Sequence, residues 1–172
     1  TQFNNPAQAA AFRQSMITRY GYDPGSLSDF NGETDSDLFF GRLDFNMSPS
    51  HNATLRHNYV NAGNDVIADR STSRYRFETA IYNLADATNS TVFQLNSVFG
   101  ATSFNVGRIG YQTIRDQRTT PVTFPSVDIG PVARQPQLAA GTERFSAANS
   151  LDQDILEITD DFTFIKGNHT IT

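Results

Sequence analysis

The sequence predicts an all-β chain of antiparallel strands in up-and-down order. Three observations predict it. Apolar and polar residues alternate with period two through several runs of roughly ten residues. No run of about 18 apolar residues occurs, so a transmembrane helix is excluded while β-strands are not. Short turns alternate strictly with long polar connections along the chain.

Taken in order, residues 7–20 are the one convincing helix. Phe12, Met16 and Tyr20 recur every four residues, and Gly21 follows as a natural stop. Residues 22–37, with Pro24-Gly25, Asn31-Gly32 and several acids, read as loop. Period two then sets in. In 39–47, Phe39, Gly41, Leu43, Phe45 and Met47 share one face, with Arg42, Asp44 and Asn46 on the other. A turn at 48–52 leads to 53–61, where Leu55 and Tyr59 oppose Thr54, Arg56 and Asn58, and His57 departs from the apolar set. After a polar stretch at 62–88, the run 89–99 sets Thr91, Phe93, Leu95 and Phe99 against Val92, Gln94, Asn96 and Val98.

A turn at 100–103 opens the run 104–115, in which Ile109 and Tyr111 oppose Arg108 and Gln112, with two glycines interrupting. Residues 116–153 carry Pro121, Pro125, Pro131 and Pro136, which argue against any interior strand there. The fifth run, 155–165, places Leu156, Ile158, Phe162 and Phe164 opposite Glu157, Thr159, Asp161 and Thr163. Asp160 falls on its apolar face, which calls for a bulge or a position near a membrane edge. Lys166-Gly167-Asn168 turns into a last, short strand that reads as cut off in progress, so the chain is expected to be a fragment.

The short turns at 48–52, 100–103 and 166–168 alternate with long connections at 62–88 and 116–153. An outer-membrane barrel has this rhythm, with short periplasmic turns and long extracellular loops. Taken alone, the pattern also suits a soluble antiparallel β-protein.

Composition narrows the function classes. The chain is 38% hydrophobic, with 14 Phe and no Trp, a poor supply of aliphatic side chains for a packed core. The net charge is -5 and the 13 basic residues are scattered, so nothing points to nucleic acid. With no Cys, disulfides and thiol chemistry are excluded.

Specific phrases add a resemblance. Leu38-Phe39-Phe40-Gly41-Arg42-Leu43-Asp44-Phe45-Asn46, a Ser-x-x-His-Asn turn and Ala53-Thr54-Leu55-Arg56-His57-Asn58-Tyr59 resemble a barrel hairpin of the TonB-dependent receptors. Four further pieces fit in order: Arg19-Tyr20-Gly21-Tyr22-Asp23-Pro24-Gly25; Gln94-Leu95-Asn96-Ser97 with Phe104-Asn105; Thr123-Phe124-Pro125; and Thr159-Asp160 with Ile165-Lys166-Gly167-Asn168-His169-Thr170. The likeness is to the Oar-like branch, and it covers most of the chain. It implies a transmembrane barrel of about 22 strands, an internal plug domain, uptake of a scarce solute driven through TonB, and an outer-membrane location. On that reading residues 1–37 are an extracellular loop with a short helix. Residues 38–172 are then a partial barrel of six strands, in contact with lipid and lacking a plug. Two rivals are a structural or adhesive outer-membrane barrel and a secreted β-module that binds glycans.

No enzymatic site is expected. Asp160 and Asp161 face opposite ways on a strand, while Glu157 and Asp161 share the wet face. His51, His57 and His169 have no reason to converge on a metal, and Asp35-Ser36-Asp37 and Asp152-Gln153-Asp154 lack calcium-loop spacing. Ser15 and Ser97 lack a nucleophile-elbow setting. The remaining candidates are wall charges facing a plug or a passing solute: Arg42, Asp44, Arg56 and Arg108, which the bland alternative has neutralising one another across strands. Phe124 and Phe145 are loop aromatics that nothing in the sequence singles out as ligand contacts.

Overall fold

The computed structural model describes residues 6–28, 31–66, 74–130, 137–146 and 148–172. Most of these are antiparallel β-strand, with one helix, α1 (Pro6–Tyr20). Five long strands, β1 (Thr34–Ser48), β2 (His51–Val66), β4 (Tyr82–Phe99), β5 (Ser103–Thr119) and β8 (Asn149–Lys166), join the short β9 (His169–Ile171) in a six-stranded sheet. Its order, β1-β2-β4-β5-β8-β9, is the up-and-down order expected from the sequence. The sheet is open, with β1 and β9 at its edges, and no closed barrel forms among the described residues. Three short strands, β3 (Tyr75–Arg76), β6 (Val127–Ile129) and β7 (Leu138–Ala140), make a second sheet.

Every long strand outruns its expected length, and most of the excess falls at the end that meets a long connection. β1 starts at Thr34 rather than 39, β2 ends at Val66 rather than 61, and β4 starts at Tyr82 rather than 89. β5 ends at Thr119 rather than 115, and β8 starts at Asn149 rather than 155. The hydrophobic alternation stops in these extensions, but the ladder continues with polar partners. Thr34 Oγ1 donates to Asn64 Oδ1 (2.8 Å), and Asn83 Nδ2 donates to Asp65 Oδ1 (3.0 Å).

Contacts divide the chain into two compact units. The sheet unit is Ser36–Ala62, Asp86–Asp116 and Leu151–Thr172. Ala53 is its one buried hydrophobic residue among those described. Its Leu43 is 57% exposed, Phe93 42%, Ile109 51% and Phe162 49%. Asp160 lies on the same side of the sheet as Asn105 and Gly107 of β5. Asn105 Nδ2 on β5 donates to Asp160 Oδ1 at 2.7 Å, so the carboxylate has a cross-strand partner.

The core unit is Thr1–Asp35, Gly63–Ala85 and Gln117–Ser150. Ala9, Phe77, Leu138 and Ala140 form its buried centre, with Phe12, Leu27, Tyr75 and Ile129 packed around them. Here the long connections fold rather than run as plain loop. β7 is the middle strand, parallel to β3 (Tyr75↔Leu138) and antiparallel to β6 (Val127↔Ala140). The prolines of 116–153 therefore did not bar an interior strand, because three proline-free residues suffice for one. Pro131 and Pro136 themselves lie outside the described residues. Gly141, which follows β7, has φ +80°, and a Cβ there would sit 2.1 Å from the Pro125 carbonyl oxygen. Only glycine fits that approach.

Helix α1 starts at Pro6, whose missing N–H costs nothing in the first turn. It ends where the Gly21 N–H, at φ 63°, donates to the Ile17 carbonyl (3.0 Å). Its packed face is Ala9, Phe12 and Met16; Tyr20, expected on that face, is 66% exposed. Arg13 clamps Asp23 with two hydrogen bonds, Nε to Oδ1 (2.7 Å) and Nη2 to Oδ2 (2.6 Å). The guanidinium, and then the Gly25 N–H, hold the Asp23 carboxyl down at about 2. Because the folded value lies below the ordinary 3.8, the clamp's contribution is complete above 3.8 and is lost as pH falls through about 2. NMR titration of the Asp23 carboxyl carbon should show a midpoint near 2, returning toward 3.8 in Arg13→Gln.

Candidate functional site

Four strands of the sheet unit place polar side chains of matching parity side by side. On β1, Arg42 grips Asp44 two residues along the same strand, with Nε–Oδ2 2.9 Å and Nη2–Oδ1 2.8 Å. Thr54 Oγ1 on β2 donates to Asp44 Oδ1 across the strand pair (2.8 Å). A second chain of bonds runs through amides. Arg108 Nε donates to Gln94 Oε1 (3.0 Å), Gln94 Nε2 to Asn96 Oδ1 (2.8 Å), and Asn96 Nδ2 to Asn52 Oδ1 (2.7 Å).

These residues border a depression of about 500 Å³ lined by Arg42, Asp44, Asn46, Asn52, Thr54, Arg56, Gln94 and Asn96. Three of the four expected wall charges thus line one depression, and Arg108 joins it through Gln94. Neutralisation across neighbouring strands is not what the structure shows. The single ion pair lies within β1, and among the described residues neither Arg56 nor Arg108 has a carboxylate partner. Glu157 and Asp161 share the wet face on β8, so the polar side of the sheet carries charges of both signs.

The other face of the same sheet has a different chemistry. Phe39 packs near the His57 ring (6.4 Å between centroids), and His57 Nδ1 meets Thr91 Oγ1 at 2.9 Å. Phe99 contacts His51 at 5.8 Å and Phe162 at 6.5 Å. His57 is thus engaged with a ring and a hydroxyl, and His51 with a ring. Among the described residues, no group of three or more His, Asp or Glu converges to hold a metal. Asp152 and Asp154 flank Arg115, with ion-pair distances of 3.8 and 2.5 Å.

No protein-family model, curated protein or solved structure matches the chain.

A second site lies wholly in the core unit, and sequence reasoning missed it. A cavity of about 230 Å³ is lined by Arg76, Tyr82, Arg118, Asp128, Glu143, Arg144 and Phe145, with Ser126 and Thr142 among its hydroxyls. The Arg118 guanidinium carbon lies 5.3 Å from the Tyr82 ring centroid, and that of Arg144 lies 4.6 Å from the Phe145 ring. Arg144 Nη1 also donates to Asp128 Oδ2 at 2.8 Å. Glu143 is 9% exposed; its carboxylate accepts from the Phe145 N–H (2.9 Å) and the Ser146 hydroxyl (2.8 Å). Of the two loop aromatics, Phe145 belongs to this cavity, whereas Phe124 stacks on Tyr22 at 3.7 Å. One signal was available in the sequence. Tyr82 and Arg118 have the same even parity as Gln94 and Arg108, so extending the period-two register outward reaches both.

Proposed function

We propose that this chain is part of the barrel wall of a TonB-dependent receptor that takes up a scarce solute across the bacterial outer membrane. One observation carries the proposal. Among the described residues, 23 large hydrophobics are exposed and 20 of them belong to the sheet unit, where Ala53 alone is a buried hydrophobic. In water, an antiparallel sheet of this size covers its apolar face with a second layer. Here Phe39, Leu43, Phe45 and Met47 on β1, and Leu156, Ile158, Phe162 and Phe164 on β8, stay open on one face.

Each of those sets spans nine residues of strand, 39–47 and 156–164. At roughly 3.3 Å per residue and a tilt near 45°, nine residues cover about 21 Å, close to the apolar band of a transmembrane barrel. Asp160 falls at the middle of the 156–164 set, where Asn105 of β5 gives its carboxylate a hydrogen-bond partner. The opposite face carries the hydrogen-bonded network described above, which suits a hydrated lumen. The resemblance of the hairpin phrases supplies the TonB assignment, and with it a plug domain and TonB itself as partners. The wall does no covalent chemistry on this reading. Arg42, Asp44, Arg56 and Arg108 face the plug or the passing solute.

The test uses cells carrying the complete gene. Depletion of solutes from the medium is compared in the parent, in a strain lacking the gene and in a strain lacking TonB. The proposal expects the same solute to be spared in both deletions and the protein to fractionate with outer membrane. Uptake that persists without TonB overturns transport of this type. Recovery of the protein as a detergent-free, monodisperse monomer overturns the membrane location as well.

A further inference from the structure

We propose that the core-unit cavity is a binding site for a small oxyanion, a carboxylate or phosphate group, held chiefly by Arg118. The inference goes beyond the transport reading, because every residue it uses belongs to the core unit and none to the sheet unit.

The partnering of the charges carries it. Arg118 and Arg144 line the cavity together with two carboxylates, Asp128 and Glu143. Both carboxylates are already engaged. Asp128 is bound by Arg144, and Glu143 is turned onto the Phe145 N–H and the Ser146 hydroxyl. Arg118 is left without a carboxylate among the described residues, and its contact is the Tyr82 ring beneath it. An aromatic ring under a guanidinium orients the planar fork and leaves its N–H edges free to accept a bidentate anion.

Tyr82 and Arg118 sit on β4 and β5, two regular strands, so the donor is placed by ladder geometry rather than by loop conformation. Ser126 and Thr142 add hydroxyl donors, and the exposed Phe145 ring offers an apolar wall. At about 230 Å³ the cavity suits a small solute rather than a drug-sized one. A neutral sugar would leave the Arg118 charge unanswered.

The test is calorimetric titration of the full chain in detergent micelles, at low salt, with citrate, inorganic phosphate and glucose as probes. Saturable binding of citrate or phosphate is expected, with no binding of glucose. Arg118→Gln should weaken it by about tenfold or more, the scale of a charged hydrogen bond in a partly enclosed site. Asp128→Asn provides a second reading of opposite sign, because it frees Arg144; affinity should rise by about threefold or more. Lys166→Gln, at the end of β8 and outside both sites, should leave the affinity unchanged. The proposal is overturned if neither anion binds, if glucose binds instead, or if Arg118→Gln binds as tightly as the parent. It is equally overturned if Asp128→Asn leaves the affinity equal or lower.

Discussion

Leu43→Arg should destabilise the folded chain in phospholipid vesicles by about 2–4 kcal/mol, the cost of a cation on the lipid face near the bilayer midplane. Leu43 is the middle residue of its apolar set, flanked on the same face by Phe39, Gly41, Phe45 and Met47. The side chain is 57% exposed and is not part of the buried core. In water that exposure would make the substitution nearly neutral, within about 0.5 kcal/mol. The environment alone decides the outcome, which makes the contrast informative. Ile158→Arg, at a residue 68% exposed on β8, should behave in the same way. Asn46→Arg, on the polar wall, should cost less than about 1 kcal/mol because its charge remains hydrated. Denaturant titration of folding into vesicles measures all three. Equal, small effects at Leu43, Ile158 and Asn46 would place both faces in water.

The second large effect belongs to the core unit. Phe77 is fully buried among Ala9, Leu138 and Ala140, with the Phe12 ring 5.8 Å from its own. Its neighbours are small or held by backbone hydrogen bonds, such as Phe77 N–H to the Ala139 carbonyl (2.9 Å), so they cannot collapse into the space it leaves. Phe77→Ala should therefore cost about 3–5 kcal/mol. Hydrogen exchange should accelerate at the amides of Phe77, Ala80 and Gly141 while those of the β1–β2 turn region keep their rates. Phe145→Ala, at a residue 58% exposed, is the control and should change stability by about 0.5 kcal/mol or less. Uniform acceleration throughout the chain in Phe77→Ala would show that the two units unfold as one.

The long sheet was legible because its residues obey a strong local rule. Alternation from 39 to 47 and from 155 to 165, with Gly and Asn at the turns, fixes both strand type and face without tertiary information. Parity alone was enough to put Arg42, Asp44 and Arg56 around one depression. The core unit obeys no such rule. β3 has two residues and β7 three, too few for any period to show, and Tyr75 pairs with Leu138 across a wide gap in sequence. Leu138-Ala139-Ala140 is a buried strand whose small side chains carry almost no hydrophobic signal. The α1 stop at Gly21 was readable from local chemistry, and so were Phe12 and Met16 of its packed face, but Ala9 rather than Tyr20 completes that face. The Arg118 cavity was hidden for a related reason: β4 and β5 continue beyond the point where apolar residues cease to mark them.

The central claim is that one face of the sheet meets hydrocarbon and the other meets water. These 172 residues contain no cysteine, so single cysteines carrying a nitroxide can be walked along β8 from 156 to 164 in lipid vesicles. Collisions with oxygen and with a water-soluble nickel chelate are then measured at each position by electron paramagnetic resonance. Labels at 156, 158, 162 and 164 should favour oxygen, and those at 157, 159, 161 and 163 should favour the chelate. Equal access of the chelate to both sets would contradict a lipid-facing side.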